Sequence, residues 1–427
     1  MVYRRGRHVH AGAGVSVARG AQARSRCRHL RLRQDRYLGF LSAFGYWLVG
    51  CIADVSYWVL IKATLGAFFP VFGDGNTIPA VLVSSVALWL FHFAILRGVR
   101  QAAAANAIVT VAKIIPILAF IVVLVGAFKT DLFRANFWGG EGMPETGLFE
   151  QVRATMLVTV FVFIGIEGAS VYSRYAEKRS DVGVATIPGF IGVLCLMVLV
   201  TLLPYAALAR IEIAGMRQPS MAAVMGAVLG PWGAVFVSVG LIVSVLGAYL
   251  AWSLICIEVI FAAAKTQDMP KVFAKENANK VPSTALWVTN IAIQLFLIST
   301  LFSQDAFTLT LKLTSAMALI PYLLVAAYGW LIAKRGETYD IRPQERRRDL
   351  VIAGFATLYT AFMIYAGGLK YLLLSAVLYA PGTALYFWAR RERSKQVFTA
   401  AEWFIFAAVV VGAVIGVHAL VTGYITI

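Results

Sequence analysis

An all-α integral membrane protein is the fold class that this sequence predicts, and three observations predict it. Hydrophobic residues fill 60% of the 427 positions and charged residues only 14%, whereas soluble domains are about a quarter charged. From Tyr37 onward the apolar residues gather into segments long enough to cross ~30 Å of hydrocarbon, which takes about 20 helical residues each. Many of these segments, such as 75–96, 182–209 and 281–304, contain no Asp, Glu, Lys or Arg at all. Backbone groups in lipid must bond internally, and runs of this length without a ten-residue alternation are helices rather than barrel strands. The same arithmetic excludes soluble-enzyme, disordered, collagenous and nucleic-acid-binding classes, in spite of a net charge of +17.

The elements follow in chain order. Residues 1–36 hold ten arginines, three of the five histidines, one acid (Asp35) and no Lys, Ile or Phe. With no apolar core and no small-residue cleavage site they are not a secretory signal. Their composition matches an out-of-frame or non-native segment; an Arg-, Ser- and Ala-rich targeting peptide is the other reading. The chain beyond predicts eleven spans, at about 37–62, 78–96, 103–127, 154–173, 186–208, 232–264, 284–302, 308–333, 350–367, 370–389 and 402–425. Four cysteines, Cys27, Cys51, Cys195 and Cys256, lie far apart and form neither a CxxC metal site nor a disulfide framework.

Lys and Arg in the connections set the orientation, because short basic loops stay in the cytoplasm. One alternate set carries 19: Arg97, Arg100, Arg174, Lys178, Arg179, Lys265, Lys271, Lys275, Lys280, Lys334, Arg335, Arg342, Arg346, Arg347, Arg348, Arg390, Arg391, Arg393 and Lys395. The other set carries seven: Lys62, Lys129, Arg134, Arg153, Arg210, Arg217 and Lys370. The first set is therefore cytoplasmic, with the N-terminus, and an odd number of spans leaves the C-terminus outside. Much of the positive charge is this topology signal, so no nucleic-acid partner is expected.

Charges in mid-span are costly and line polar cavities; here they are Asp54, Lys113, Glu167 and Glu258. Asp54 and Lys113 are candidates to pair with each other. Lys62 and Lys312 sit near segment ends, where a long side chain reaches the interface. His92 and His418 read as packed, satisfied side chains. No phosphate-binding loop, HExxH or Cys/His cluster occurs, so neither a cofactor nor a metal is expected, and the chain does not read as an enzyme.

The segment Phe161-Val-Phe-Ile-Gly-Ile-Glu-Gly-Ala-Ser170 puts Gly165 and Gly168 on either side of Glu167 at the centre of a span. Each glycine costs about 1 kcal/mol in a helix interior relative to alanine. A break at this depth survives where the freed backbone groups face a cavity, as in carriers that bind substrate at the midplane. A small-residue face for close helix packing is the other reading of the same pattern.

At these residues the sequence resembles the amino acid–polyamine–organocation transporters, and most closely their basic amino acid antiporters. The resemblance covers roughly residues 37–427. Its strongest stretch is FVFIGIEGASVYSRYAEKRSDVGVAT (161–186), joined by LPYAAL (203–208), QPSMAAVMGAVLGPWG (218–233), AWSLICIEVIFAAAKTQDMPKVFAKEN (251–277) and ALIPYLL (318–324). It implies paired inverted repeats of five helices with two discontinuous helices, followed by accessory spans. The family's glycine-rich first helix and its second helix have no counterpart here, so the eleven spans resemble helices three to thirteen of a thirteen-helix carrier. The implied divisions are 1–36 as an added segment, 37–127 as the remnant of the first repeat, 150–333 as the second repeat and 349–427 as accessory helices.

The resemblance also implies a site. Ile164, Gly165 and Ile166 would offer backbone oxygens to a substrate α-ammonium in the unwound part of the family's sixth helix. Phe161 stands where relatives have a gating aromatic ring, which suits a guanidinium or ammonium group through cation–π contact; a core- or lipid-facing Phe is its alternative. Glu167, followed by Gly168, is similar to the family's gating carboxylate. Trp252 resembles a tryptophan that separates substrate from the cytoplasmic exit, and interface anchoring is its alternative. Thr314 and Ser315 resemble a hydroxyl position that contacts the substrate side chain, against a back-bond to the preceding turn. The implied function is exchange of basic amino acids, arginine for ornithine, by alternating access in the inner membrane, with lipid and a small cationic substrate as partners and a homodimer as the expected assembly. A proton-coupled lysine or polyamine permease, or a carrier made inactive by the absent helices, is the alternative.

Overall fold

The computed structural model describes residues 36–98, 113–137, 139, 147–167, 179–303, 305–336, 339 and 343–425, with backbone alone at 36 and 179–185. The added segment expected at 1–36 lies almost wholly outside the described residues. The helices, in order, are α1 (Arg36–Gly66), α2 (Ile78–Leu96), α3 (Ile114–Gly126), α4 (Thr130–Phe137), α5 (Leu148–Phe163), α6 (Arg179–Leu202), α7 (Pro204–Ala207), α8 (Arg210–Ala214) and α9 (Ser220–Leu229). They continue as α10 (Pro231–Lys265), α11 (Ser283–Ser299), α12 (Ala306–Arg335), α13 (Glu345–Gly367), α14 (Leu369–Arg391) and α15 (Ala400–Val421). Among the described residues there is no strand.

Among the described residues nine helices are long and apolar enough to cross a membrane, and α3 with α4, bent by 104°, makes a tenth if the pair is one span. The expected span 103–127 is therefore met only by α3, which starts at 114, and the expected span 154–173 only by α5, which stops at 163. The remainders, 103–112 and 168–173, fall outside the described residues.

Most helices turn large apolar side chains outward, such as Leu82, Val86 and Leu90 on α2 and Phe355, Leu358 and Tyr359 on α13. Hydrocarbon solvates such faces as well as a protein core does. α1 is the exception: 72% of its most apolar 18-residue window is buried, because α12, α10, α11 and α14 all pack around it. Two of its glycines make that possible. A Cβ on Gly45 would overlap the Tyr379 hydroxyl of α14, and one on Gly50 would overlap Cys256 Sγ of α10. One stripe of α1, Tyr37, Phe40, Phe44 and Trp47, forms a continuous aromatic stack with Tyr379 and Tyr386 of α14, Phe398, and Phe406 of α15.

Polar contacts between connections sort the ends of the helices into two sets. At one end the Tyr37 N–H donates to Glu402 (2.8 Å), Asn277 and Asn279 both donate to the Leu96 carbonyl (3.0 Å), and the Lys271 N–H donates to Glu392 (2.9 Å). At the other end Asn76 donates to the Ser303 carbonyl (3.3 Å), Arg217 pairs with Asp74 (2.8 Å), Asn136 donates to the Tyr205 carbonyl (2.7 Å) and Arg153 to the Ala366 carbonyl (3.2 Å). Each contact joins segments of one alternate set. Two expectations fail here. Lys62 does not reach an interface: its side chain is buried on α1, with Nζ 3.5 Å from Thr300 Oγ1. Its position four residues short of the helix end places it beneath the 67–77 loop, whose Gly75 packs against its Cβ. His418, expected to be packed, is exposed on the last turn of α15.

Candidate functional site

The two glycines around Glu167 act as their chemistry dictates. α5 ends at Phe163, Ile164 is extended (φ −63°, ψ 130°), and Gly165 takes φ +110°, a conformation that side chains disfavour. The chain then turns through Glu167. A Cβ at Gly165 would also lie 3.3 Å from the Trp252 ring, so this glycine is required both for its backbone angle and for close approach. Gly168 lies outside the described residues.

Glu167 is held from two directions. Its Oε1 accepts the Tyr46 hydroxyl of α1 at 2.7 Å, and its Oε2 accepts the Gly165 N–H at 3.0 Å. The carboxylate thus closes its own unwound turn and ties it to α1. Tyr322 of α12 has its hydroxyl in electrostatic reach of the same carboxylate, without a well-formed hydrogen bond. Trp252, buried on α10, lies against Gly165 and has its ring centroid 6.0 Å from that of Tyr46. Phe161 stacks edge-on with Tyr57 of α1 at 6.5 Å.

Tyr46, Gly50, Asp54 and Tyr57 recur at helical spacing, so they form one stripe of α1. That stripe runs about 16 Å along the axis. Its lower end meets Glu167 and Trp252, and its upper end meets Phe161. Asp54, fully buried, falls between Tyr46 and Tyr57 along the helix. Its Oδ2 accepts the Ser253 hydroxyl of α10 at 2.9 Å, while Oδ1 has no hydrogen-bond partner among the described residues. The expected pairing of Asp54 with Lys113 does not form, because Asp54 faces α10 whereas Lys113 is at the start of α3.

Thr314 and Ser315 are fully buried on α12 and donate back to the carbonyls of Thr310 (2.7 Å) and Leu311 (3.0 Å). Ser315 shares a helix face with Tyr322. The structure therefore sets Gly165 against Trp252, Glu167 against Tyr46 and Phe161 against Tyr57, while Thr314 and Ser315 have their protons committed to their own helix. The sequence marks Asp54 only as a mid-span charge and does not mark Tyr46, Tyr57, Ser253 or Tyr322 as site residues. The signal for the α1 group was its recurrence every three or four residues; nothing in the sequence marks Ser253 or Tyr322.

Among the described residues no cluster of His, Cys, Asp and Glu would hold a metal ion. A helix that stops at Phe163 within an apolar segment, with its backbone unwound through Glu167, resembles the discontinuous helices that build midplane sites in secondary transporters. The comparisons agree in class: a profile of the family described as amino acid permease matches residues 34–370. An arginine/ornithine antiporter of Pseudomonas aeruginosa is 50% identical over 397 residues, covering 92% of this chain and 82% of that protein. An arginine/ornithine antiporter of Latilactobacillus sakei is 36% identical over 398 residues (92% and 82%), and an arginine/agmatine antiporter of Chlamydia caviae 38% over 373 (86% and 77%). The chain belongs to the amino acid permease family and is a multi-pass membrane protein.

Proposed function

We propose that the chain is a secondary carrier that exchanges basic amino acids, arginine for ornithine, by alternating access. The observation that carries this reading is Asp54: a fully buried carboxyl with one oxygen lacking a hydrogen-bond partner among the described residues, between Tyr46 and Tyr57 along α1. An isolated charge at that depth is strongly disfavoured unless it is neutralised or paired, and a guanidinium or ammonium side chain entering between Trp252 and Phe161 supplies the partner. The rings of both residues then contribute cation–π attraction. Ile164, Gly165 and Ile166 present the unwound backbone to the substrate's α-ammonium, and Glu167 keeps that turn closed on Tyr46. The names of the relatives support the substrate class.

Exchange follows if the carrier without substrate rarely passes between its inward- and outward-facing states. The excess of Lys and Arg on one set of connections supports an inner-membrane orientation with the start of α1 in the cytoplasm and the end of α15 outside. In this reading α1–α3 belong to a first repeat, α5–α12 form the second and α13–α15 are accessory.

The test is uptake of labelled arginine into proteoliposomes preloaded with ornithine or left empty. Uptake only into the loaded vesicles is the expected result. Equal uptake into empty vesicles, driven by a pH gradient, would instead identify a proton-coupled permease. Asp54→Asn is expected to raise the arginine KM at least tenfold with normal insertion.

A further inference from the structure

Beneath the loop that follows α1 lies a buried cation with no part in the substrate pocket. Lys62 is 1% exposed, and its Nζ has a single hydrogen bond, to Thr300 Oγ1 at 3.5 Å. The acid of the overlying loop, Asp74, is taken by Arg217 at 2.8 Å, with its side chain 72% exposed. An ammonium carries three N–H groups, so two of those on Lys62 have no acceptor among the described residues. Burying such a charge without a counter-charge is strongly unfavourable.

The surroundings dictate what would satisfy it. Thr300 and Ser303 share one turn, closed by the Ser303 N–H donating to the Thr300 carbonyl at 3.3 Å. The Thr300 hydroxyl gives its proton to the Leu297 carbonyl at 2.7 Å, so towards Lys62 it can only accept. Ser303 is 4% exposed, and its Oγ has no hydrogen-bond partner among the described residues. The loop roofs both side chains. A Cβ on Gly75 would stand 3.1 Å from the Lys62 Cβ and 2.9 Å from the Val59 carbonyl oxygen, and the next residue, Asn76, donates to the Ser303 carbonyl at 3.3 Å. Consecutive loop residues thus touch the lysine and the serine. If the ammonium swung round to Ser303 Oγ, the serine proton would still lack an acceptor, so donors still exceed acceptors. What meets an excess of donors beside one positive charge is an anion with one negative charge, and the close cover of Gly75 restricts it to a small one.

We propose that Lys62 and Ser303 form a binding site for a small monovalent anion, a chloride ion or a carboxylate group, at the end of the bundle opposite the Lys- and Arg-rich connections. The bound anion neutralises Lys62 and joins the end of α1 to the Thr300–Ser303 turn. Lys62 follows Asp54 by eight residues, ~12 Å along the helix axis, so the site is separate from the proposed cation pocket.

The experiment is the melting temperature of the purified full chain in detergent, at fixed pH and ionic strength, as sodium gluconate is replaced stepwise by chloride or by acetate. Gluconate keeps the charge but is too bulky for so close a cover. The wild type is expected to gain stability saturably with one small anion or with both. Lys62→Met, which keeps the length of the side chain and loses its charge, is expected to melt at the same temperature in every salt. Ser303→Ala is expected to need an anion concentration about tenfold higher for half the effect, the scale of one hydrogen bond to a charged group. A response to chloride alone identifies a halide site. A response to acetate opens the site to carboxylates, and the effect of Lys62→Met on the Kd of arginine against that of agmatine, which lacks the carboxylate, then tells whether the substrate is their source. A wild type indifferent to both small anions, or a Lys62→Met variant that responds as the wild type does, overturns the site and leaves Lys62 as a tether to Thr300. Where Lys62→Met fails to fold, Ser303→Ala decides, and an unshifted concentration dependence overturns the site. The readout is stability, so this inference can fail while exchange is observed, and the reverse.

Discussion

At Gly165 a single backbone angle decides the form of the site. With φ +110° and the Trp252 ring 3.3 Å from the position of a Cβ, Gly165→Ala is strained on two counts. The strain is about 1–3 kcal/mol for a non-glycine residue in such a region, and the cheapest relief is to re-form helix through Glu167. Exchange in proteoliposomes is therefore expected to fall at least tenfold, with correct membrane insertion retained; wild-type exchange would show that the break is dispensable. Glu167→Gln keeps a hydrogen-bonding side chain but loses the charge that strengthens the bonds from Tyr46 and Gly165, which a carboxylate accepts about twice as well as a neutral group. Exchange is expected to drop strongly. Trp252→Ala opens the floor of the aromatic layer and is expected to do the same. Thr314→Val, by contrast, removes a hydroxyl already bonded to Thr310, and a small effect on exchange is expected.

At the scale of elements, α1 is organised by two stripes on one helix. The stripe Tyr37, Phe40, Phe44 and Trp47 binds α14 and α15, and the stripe Tyr46, Gly50, Asp54 and Tyr57 faces the broken end of α5 and the buried part of α10. The accessory helices thus hold the same helix that carries the site. Glu402 reinforces the connection: its two oxygens accept the N–H groups of Tyr37 (2.8 Å) and Thr399 (2.8 Å), while the Thr399 hydroxyl accepts from the Glu402 N–H (3.3 Å). This capping box secures the starts of α1 and α15 together. Glu402→Ala is expected to cost about 1–2 kcal/mol, read as a lowered melting temperature in detergent, with the arginine KM unchanged. A change in KM without a change in melting temperature would place Glu402 in transport rather than in the cap.

At the scale of the whole molecule the arrangement is two-sided. The Lys- and Arg-rich connections touch one another at one end of the bundle, as in Lys271–Glu392 and Lys395–Gln267 (3.0 Å), and the poorer set meets at the other. A membrane-impermeant maleimide applied to intact cells is expected to label a cysteine placed at Gly147 and to spare one placed at Lys275, both exposed positions on opposite sides. Labelling of both, or the reverse, would contradict the orientation.

The sequence by itself determined the class of structure, since a bilayer accepts only helices or closed barrels, and it located the break at 164–167, because two glycines beside a carboxylate weaken a helix wherever it packs. Only the tertiary structure decided the remainder. That Asp54 bonds Ser253 and not Lys113, that Lys62 is buried under a loop, and that His92 meets Asn290 of α11 all depend on which helices become neighbours. Period-3.6 patterns fix the faces of each helix but carry no information about partners, and in lipid, where nearly every outward residue is apolar, hydrophobicity does not distinguish a buried face from an exposed one.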